Sequence, residues 1–333
     1  STVVPATHSV SIYSYYDVHE IDAVNLLSGG QRWYGELFDT ELQRVININV
    51  QNIDGSVPAY FEVSIASSAN TSSGTSHSYS VNGTSIGSFS LPVASDYARQ
   101  EMLMTLNSPP SNLPLLISVN RDAPSTLTYL DRILLNARRQ LVFVGTQINF
   151  RDLNSIGVGS VSEFTIQNLP SSQGFVWEIT DRHQPFAVEG TFSGSNFTFR
   201  LPTDNLREFV ASDGVNFYEP TKVGEVVNQN LHELPQAEYL IVTHKNFYGQ
   251  ANRLANLHRA LGETVHVVTT EQVFNEFSSG MLDPTAIRMF AKMFYDRGAL
   301  TPETRPKSLL LFGDGTYDPK NRVPNNNNFV PTY

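Results

Sequence analysis

From residue 31 onward, apolar and polar side chains alternate with a period of two, in short runs broken by turn residues. RWYGELF (residues 32–38), LQRVININV (42–50) and AYFEVSIA (59–66) each place their apolar groups on one face, as half-buried antiparallel strands do. SHSYSVNGTSIGSFSLP carries Asn82-Gly83 between two such runs, and because both residues tolerate positive φ a tight hairpin is predicted there. RQEMLMTL, LPLLISVN and YLDRILLNARRQL (129–141) complete the series, so residues 1–140 are expected to form a β-sandwich or jelly roll. A second set of runs, VSEFTIQNL, GFVWEITDR, PFAVEGTF and NFTFRLP, predicts another β-rich domain over 141–222. Trp177 lies in one of these runs. Core packing is the expectation for so large an aromatic, as for Trp33 and Tyr34, with a sugar-stacking platform as the alternative.

The pattern lapses over residues 223–237, a polar stretch ending near Pro235 that reads as an interdomain linker. Beyond it the periodicity changes. EYLIVTH (238–244) is a short apolar strand, and Ala251, Leu254, Ala255, His258 and Leu261 then recur at helical steps, with Gly262 at the position that ends a helix. TVHVVTT (264–270) is a second strand. Asp283-Pro284 supplies an N-cap and a first-turn proline for a helix whose buried face is Ile287, Phe290, Ala291 and Phe294. SLLLFGDGTYDP (308–319) is a third strand running into a tight loop. Strand, helix, strand, helix, strand implies a parallel sheet with right-handed crossovers over 238–333, and the carboxyl ends of such strands are where α/β proteins place their chemistry. Three strands alone leave apolar faces and an edge uncovered, so this domain is expected to be the first part of a larger one.

Charge and composition narrow the function classes. With 22 basic and 32 acidic residues the net charge is -10, which argues against nucleic acid as a partner. Cysteine is absent, so no disulfide, thiolate metal site or cysteine nucleophile exists in these residues. The first residues have neither a basic nor an apolar leader region, and the Ser-, Thr-, Asn- and Tyr-rich alternation fits an exported protein whose leader has been removed. Sequons at Asn70, Asn82 and Asn196 are read as coincidental, Asn82 being already explained as a turn residue.

VWEITDRHQP, EYLIVTH, QANRLANLHRALG, EQVFNEFSSG, TAIRMFAKMFYDR, LLLFGDGTYDPKN and NNFVPTY together resemble the gingipain family of cysteine peptidases, and most closely its type IX secretion sortase branch. The resemblance is tightest over 238–333. It implies a caspase-like sheet whose strand ends carry a histidine and then a cysteine nucleophile, the thiolate attacking the scissile carbonyl while imidazole manages protons. It also implies removal of C-terminal secretion signals from cargo proteins, transfer of the acyl group to an amine on anionic lipopolysaccharide, an outer-membrane secretion partner and a cell-surface location. The family's histidine lies downstream of the segment matching LLLFGDG, so no catalytic residue is expected in this chain. His244, at the end of the first strand of the sheet, is the one that invites assignment, and a partner-bonded or loop-lining role is expected for it.

No cofactor is required by this reading. Asp314 and Asp318, four residues apart in a glycine-bearing loop, are the candidate metal ligands, for a structural calcium ion; the alternative is that Asp314 bonds backbone N–H groups of the turn. The run 325–328 reads as a polar surface loop. The competing functional expectation is a non-catalytic surface protein that grips a glycan or protein partner through its β-sandwich domains.

Overall fold

The structure, a computed structural model, describes residues 5–30, 32–68, 74–94, 96–121, 123–324 and 326–331; the sequon at Asn70 lies outside them. In chain order the strands of the β-rich part are β1 (His8–Val10), β2 (Ile12–Glu20), β3 (Leu37–Phe38), β4 (Gln43–Asn49), β5 (Ala59–Ser67), β6 (Thr75–Val81), β7 (Thr84–Leu91), β8 (Ala98–Leu106), β9 (Asn112–Asn120) and β10 (Thr128–Gln140). They continue as β11 (Gln147–Arg151), β12 (Val161–Ile166), β13 (Phe175–Glu178), β14 (Phe186–Ala187), β15 (Thr191–Ser193), β16 (Asn196–Pro202) and β17 (Glu208–Ser212). The chain divides into two units, Ser1–Val24 with Trp33–Pro220, and Asn25–Arg32 with Thr221–Tyr333.

The first unit is two β-sandwiches. One sheet has the order β2-β10-β5-β8, with β3 also on β10, and faces a sheet of order β4-β9-β6-β7. Alternation drives this pairing: Phe61, Val63 and Ile65 of β5 and Leu113, Leu115 and Ile117 of β9 all turn into one shared core. Asn82 and Gly83 sit at φ 47° and 79°, forming the β6–β7 hairpin that the sequence predicts. The second sandwich pairs β1-β12-β16-β15 with β11-β17-β13-β14 around stacked aromatics, Phe150 on Phe209 and Phe164 on Phe199. Its sheet includes a parallel partner from far away in sequence, β1 on β12.

Strand β2 belongs to both sandwiches. Its backbone pairs with β10, Arg139 opposite Tyr13, whereas the Tyr13 ring is buried in the second core. Arg138 reinforces the junction: its guanidinium donates to Asp152 Oδ1 (2.5 Å), to Ser14 Oγ (2.7 Å) and to the carbonyl of Ile12 (2.9 Å). Trp33 and Tyr34 are buried as expected, but Trp177 is 38% exposed. The register explains this: Val176 and Glu178 point inward, so the residue between them faces out.

The second unit contains β18 (Tyr239–Thr243), α1 (Tyr248–Ala260), β19 (Val265–Thr269), α2 (Thr270–Phe277), α3 (Pro284–Arg297) and β20 (Ser308–Phe312). The sheet is parallel, of order β19-β18-β20. Helix α1 ends at Gly262 (φ 92°), and α3 begins with Asp283 accepting from the amide of Thr285 ahead of Pro284. Two helices, rather than one, connect β19 to β20. The additional one, α2, opens with a capping box: Thr269 accepts from the Gln272 amide and the Gln272 side chain accepts from the Thr269 amide. The central strand is buried on both faces, Ile241 toward α1 and Leu240 and Val242 toward α2 and α3.

Candidate functional site

Chemistry-bearing side chains gather at the carboxyl ends of the three parallel strands. At the end of β18, the Thr243 hydroxyl donates to the carbonyl of Phe312 (2.9 Å) and so ties β18 to β20 where both strands stop. His244 follows. Its Nδ1 accepts from the amide of Asn246 (3.3 Å), capping a short turn into α1, and its ring packs against Phe329, with centroids 5.0 Å apart. The other histidines of the sheet region are held by regular structure: His258 Nδ1 meets Glu263 at 2.6 Å, and His266 Nε2 meets the carbonyl of Pro235 at 2.7 Å.

The loop after β20 is folded back over these ends. Gly313 adopts φ 150°, and a Cβ there would lie 3.1 Å from Val330 Cγ2 and 3.2 Å from Phe329 Cβ, so only glycine lets the returning segment approach. The carbonyl of Asp314 accepts from the amides of Phe329 (2.9 Å) and Val330 (3.0 Å), while its side chain points to solvent. Asp318 is different. Its carboxylate is fully buried, accepts from the amide of Val323 (2.6 Å) and lies 3.7 Å from the Arg322 guanidinium; its own amide donates to Thr316 Oγ1. It staples the loop. Among the described residues no group of three or more His, Cys, Asp or Glu side chains is arranged to hold a metal. Asp314 meets this loop through its backbone carbonyl, and Asp318 through a carboxylate that faces Arg322.

Between the ends of β18 and β19 and the returning segment lies a cavity of about 220 Å³, lined by His244, Lys245, Thr270, Glu271, Phe274, Asn328 and Phe329. Lys245 and Glu271 approach to 3.7 Å at its solvent side. Asn328 carries the notable feature: both polar atoms of its amide are buried, and neither has a hydrogen-bond partner among the described residues. A buried amide without partners is a feature that native folds rarely leave uncompensated. The run 325–328 therefore departs from a plain surface loop. Asn325 lies outside the described residues, Asn326 donates to the carbonyl of Asp318 (2.5 Å), and Asn328 lines the cavity. Composition alone conceals this, because four consecutive asparagines give no periodicity to assign an inward face.

Residues 232–333 match peptidase family C25. The crystal structure of dimeric latent PorU from Porphyromonas gingivalis matches with a TM-score of 0.86 at 28% identity, over 99% of this chain and 33% of the PorU chain. This chain thus spans about a third of that protein's length. A carbohydrate-binding module of Cellvibrio mixtus lichenase (14% identity, 35% of this chain and 95% of the module) and one from a Zobellia galactanivorans laminarinase (12%, 36% and 98%) reach TM-scores of only 0.22, too low to bear on fold or function. No curated protein sequence matches. The similarity to peptidase family C25 is thus carried by residues 232–333, and the chain as a whole, which has no cysteine, shares the β-then-α/β multidomain fold of the third of latent PorU that it covers.

Proposed function

We propose that this chain is the amino-terminal portion of a surface cysteine endopeptidase and transpeptidase of the type IX secretion system. In this reading the whole protein removes C-terminal secretion signals from cargo proteins and joins the cargo to anionic lipopolysaccharide, with an outer-membrane secretion component as a further partner. The nucleophilic cysteine and its histidine belong to sequence beyond Tyr333. The thiolate attacks the scissile carbonyl, the leaving amine takes a proton from the imidazolium, and the thioester is then opened by an amine of the lipopolysaccharide, or by water in simple proteolysis. What this chain contributes is the start of the sheet on which those groups stand.

The observation that carries the reading is the state of β20. Its Leu310 and Phe312 pack toward the α1 side, whereas Leu309 and Leu311, on the opposite face, are 43% and 40% exposed. An edge strand with alternate leucines bare suits a sheet that continues past it. The test compares this chain with the longer protein. The longer protein should be labelled by a thiol-directed probe and should cleave a cargo signal, and this chain should do neither. Leu309→Ser with Leu311→Ser should cost this chain about 2 kcal/mol, two leucines each somewhat more than half buried, and cost the longer protein clearly more. A longer protein without a reactive thiol, or equal losses in both, would overturn the reading.

A second reading, in which the β-rich unit docks the protein on a partner, is favoured by Trp177, whose ring meets Phe175 edge-on at 6.5 Å while Phe175 stacks on Phe217 at 6.2 Å. Trp177→Ala should then release the protein from its outer-membrane partner while leaving thiol labelling of the longer protein intact.

A further inference from the structure

A cavity of about 680 Å³ in the first unit opens where β2 passes from one sandwich to the other. Its size falls within the range of about 300–1,000 Å³ typical of small-molecule sites. We infer that this cleft binds an acidic saccharide, a sugar carrying a carboxylate or a phosphate. The inference rests on the cleft alone and stands apart from the peptidase reading.

Its floor is built by guanidinium groups laid on tyrosine rings. Arg139 lies over Tyr15, 4.7 Å from the ring centroid, and over Tyr13 at 5.6 Å; Arg151 lies 4.7 Å above Tyr16. Stacking fixes the planar fork of each arginine, and a fixed fork reads a carboxylate or phosphate through paired hydrogen bonds. The charge balance favours an anion. Of the two acids in the wall, Glu208 is matched by Arg151 at 3.0 Å, and the Asp17 carboxylate accepts from the amide of Val18 (2.9 Å). Arg139 and Arg182 have no carboxylate partner among the described residues, in a chain whose net charge is -10.

The rim decides between classes of anion. Tyr16 is 57% exposed and Tyr218 86% exposed, so flat faces with hydroxyl tips border the charged floor. Such faces pack against the apolar face of a sugar ring, and the amide side chains of Gln147 and Asn149 offer donors and acceptors for its hydroxyls. An acidic peptide would use the guanidinium groups but would have no need of the aromatic rim. The burial of Tyr15 and the neighbouring Asp17 charge push its phenol up to about 12, which keeps it a hydrogen-bond donor.

The test is titration calorimetry on the 333-residue chain at low salt, with trigalacturonate as the carboxylate probe and glucose 6-phosphate as the phosphate probe. Maltotriose and hexaglutamate serve as the neutral-sugar and acidic-peptide comparisons. Saturable binding of either acidic sugar, weakened about tenfold by Arg182→Ala and by Tyr16→Ala, is expected. Both side chains are exposed, so neither variant should disturb folding, and Leu103→Ala, exposed on a strand that does not line the cleft, should bind as the parent does. Three results would overturn the inference: no binding of either acidic sugar, maltotriose or hexaglutamate binding as tightly, or affinity indifferent to both cleft variants.

Discussion

His77 makes the stability of the first sandwich dependent on pH. It lies on β6, between β7 and β9, with its side chain turned into the core and only 1% exposed. Neither ring nitrogen has a hydrogen-bond partner among the described residues. Burial without a partner penalises the charged form and pushes the imidazole down from an ordinary 6.5 to about 4. Between those two values the unfolded chain carries a proton at this position that the folded chain refuses, so stability is full above pH 6.5 and falls as the pH drops toward 4. At about 1.4 kcal/mol per pH unit the whole interval corresponds to roughly 3 kcal/mol, of which about 2.5 is lost by pH 4.5. Replacing the ring by an apolar group removes the titration and two unpaired polar atoms together, so His77→Leu should match or exceed the parent at pH 7. The assay is urea unfolding followed by tryptophan fluorescence at pH 7, 6, 5 and 4.5. Both tryptophans of the chain, Trp33 and Trp177, lie in the first unit, so the signal reports the unit that holds His77. Carboxylates that lose favourable contacts in acid contribute equally to both proteins, and the difference isolates the histidine. A parent-minus-variant difference that stays flat from pH 7 to 4.5 would refute the reasoning, since the ring would then have to be paired or reached by solvent.

Three further outcomes are expected. Arg138→Leu should destabilise the first unit by about 3–5 kcal/mol, because it leaves the buried Asp152 carboxylate without its cation; Asp152→Asn in the same chain should recover part of that loss in the same fluorescence assay. Glu276 accepts from the amide of Leu231 (2.7 Å), from Gln229 (2.9 Å) and from both the ring (2.6 Å) and the amide (3.3 Å) of His232. Burial pushes its carboxyl up, but these bonds outweigh burial and hold it below the ordinary range, so its contribution is present above about pH 4.5 and lost on acidification. Glu276→Ala should therefore cost roughly 2–3 kcal/mol and expose the segment around residue 230 to limited proteolysis. Gly313→Ala should force the 329–330 segment outward, visible as faster hydrogen exchange of the Phe329 and Val330 amides; unchanged protection would contradict the close approach described for Gly313.

The elements that sequence patterning reveals are those whose burial is periodic. Leu113, Leu115 and Ile117 announce β9, and the buried run Leu240, Ile241 and Val242 announces a central parallel strand, because in each case one local repeat records which face meets the core. Helix α2 is only eight residues long, so its apolar positions Val273, Phe274 and Phe277 span barely two turns, and the Thr269 and Gln272 capping box is what marks its start. Trp177 shows the limit of reasoning from residue type: its size argues for the core, yet its neighbours Val176 and Glu178 hold the inward register. The β1–β12 pairing and the burial of Asp318 depend on partners distant in sequence or on loop closure, and neither leaves a local repeat. Part of the candidate site was legible in the same way. The carboxyl ends of the strands follow from their order, whereas the inward amide of Asn328 does not.

The same defect, a buried polar group without a partner, means different things at His77 and at Asn328, and place decides which. His77 is surrounded by the apolar core of a sandwich, with Tyr79 two residues on along the same strand face and also buried. No ligand can reach it without unfolding the sheet, so its missing hydrogen bonds appear only as lost stability. Asn328 borders a cavity at the carboxyl ends of β18 and β19, where the strand order of an open α/β sheet directs ligands, and there a missing partner is one that a bound molecule can supply. An amide offers one acceptor and two donors, the complement of a peptide group. The cavity beside it is walled by Phe274 and Phe329, so a peptide segment that satisfies Asn328 would also bury an apolar side chain.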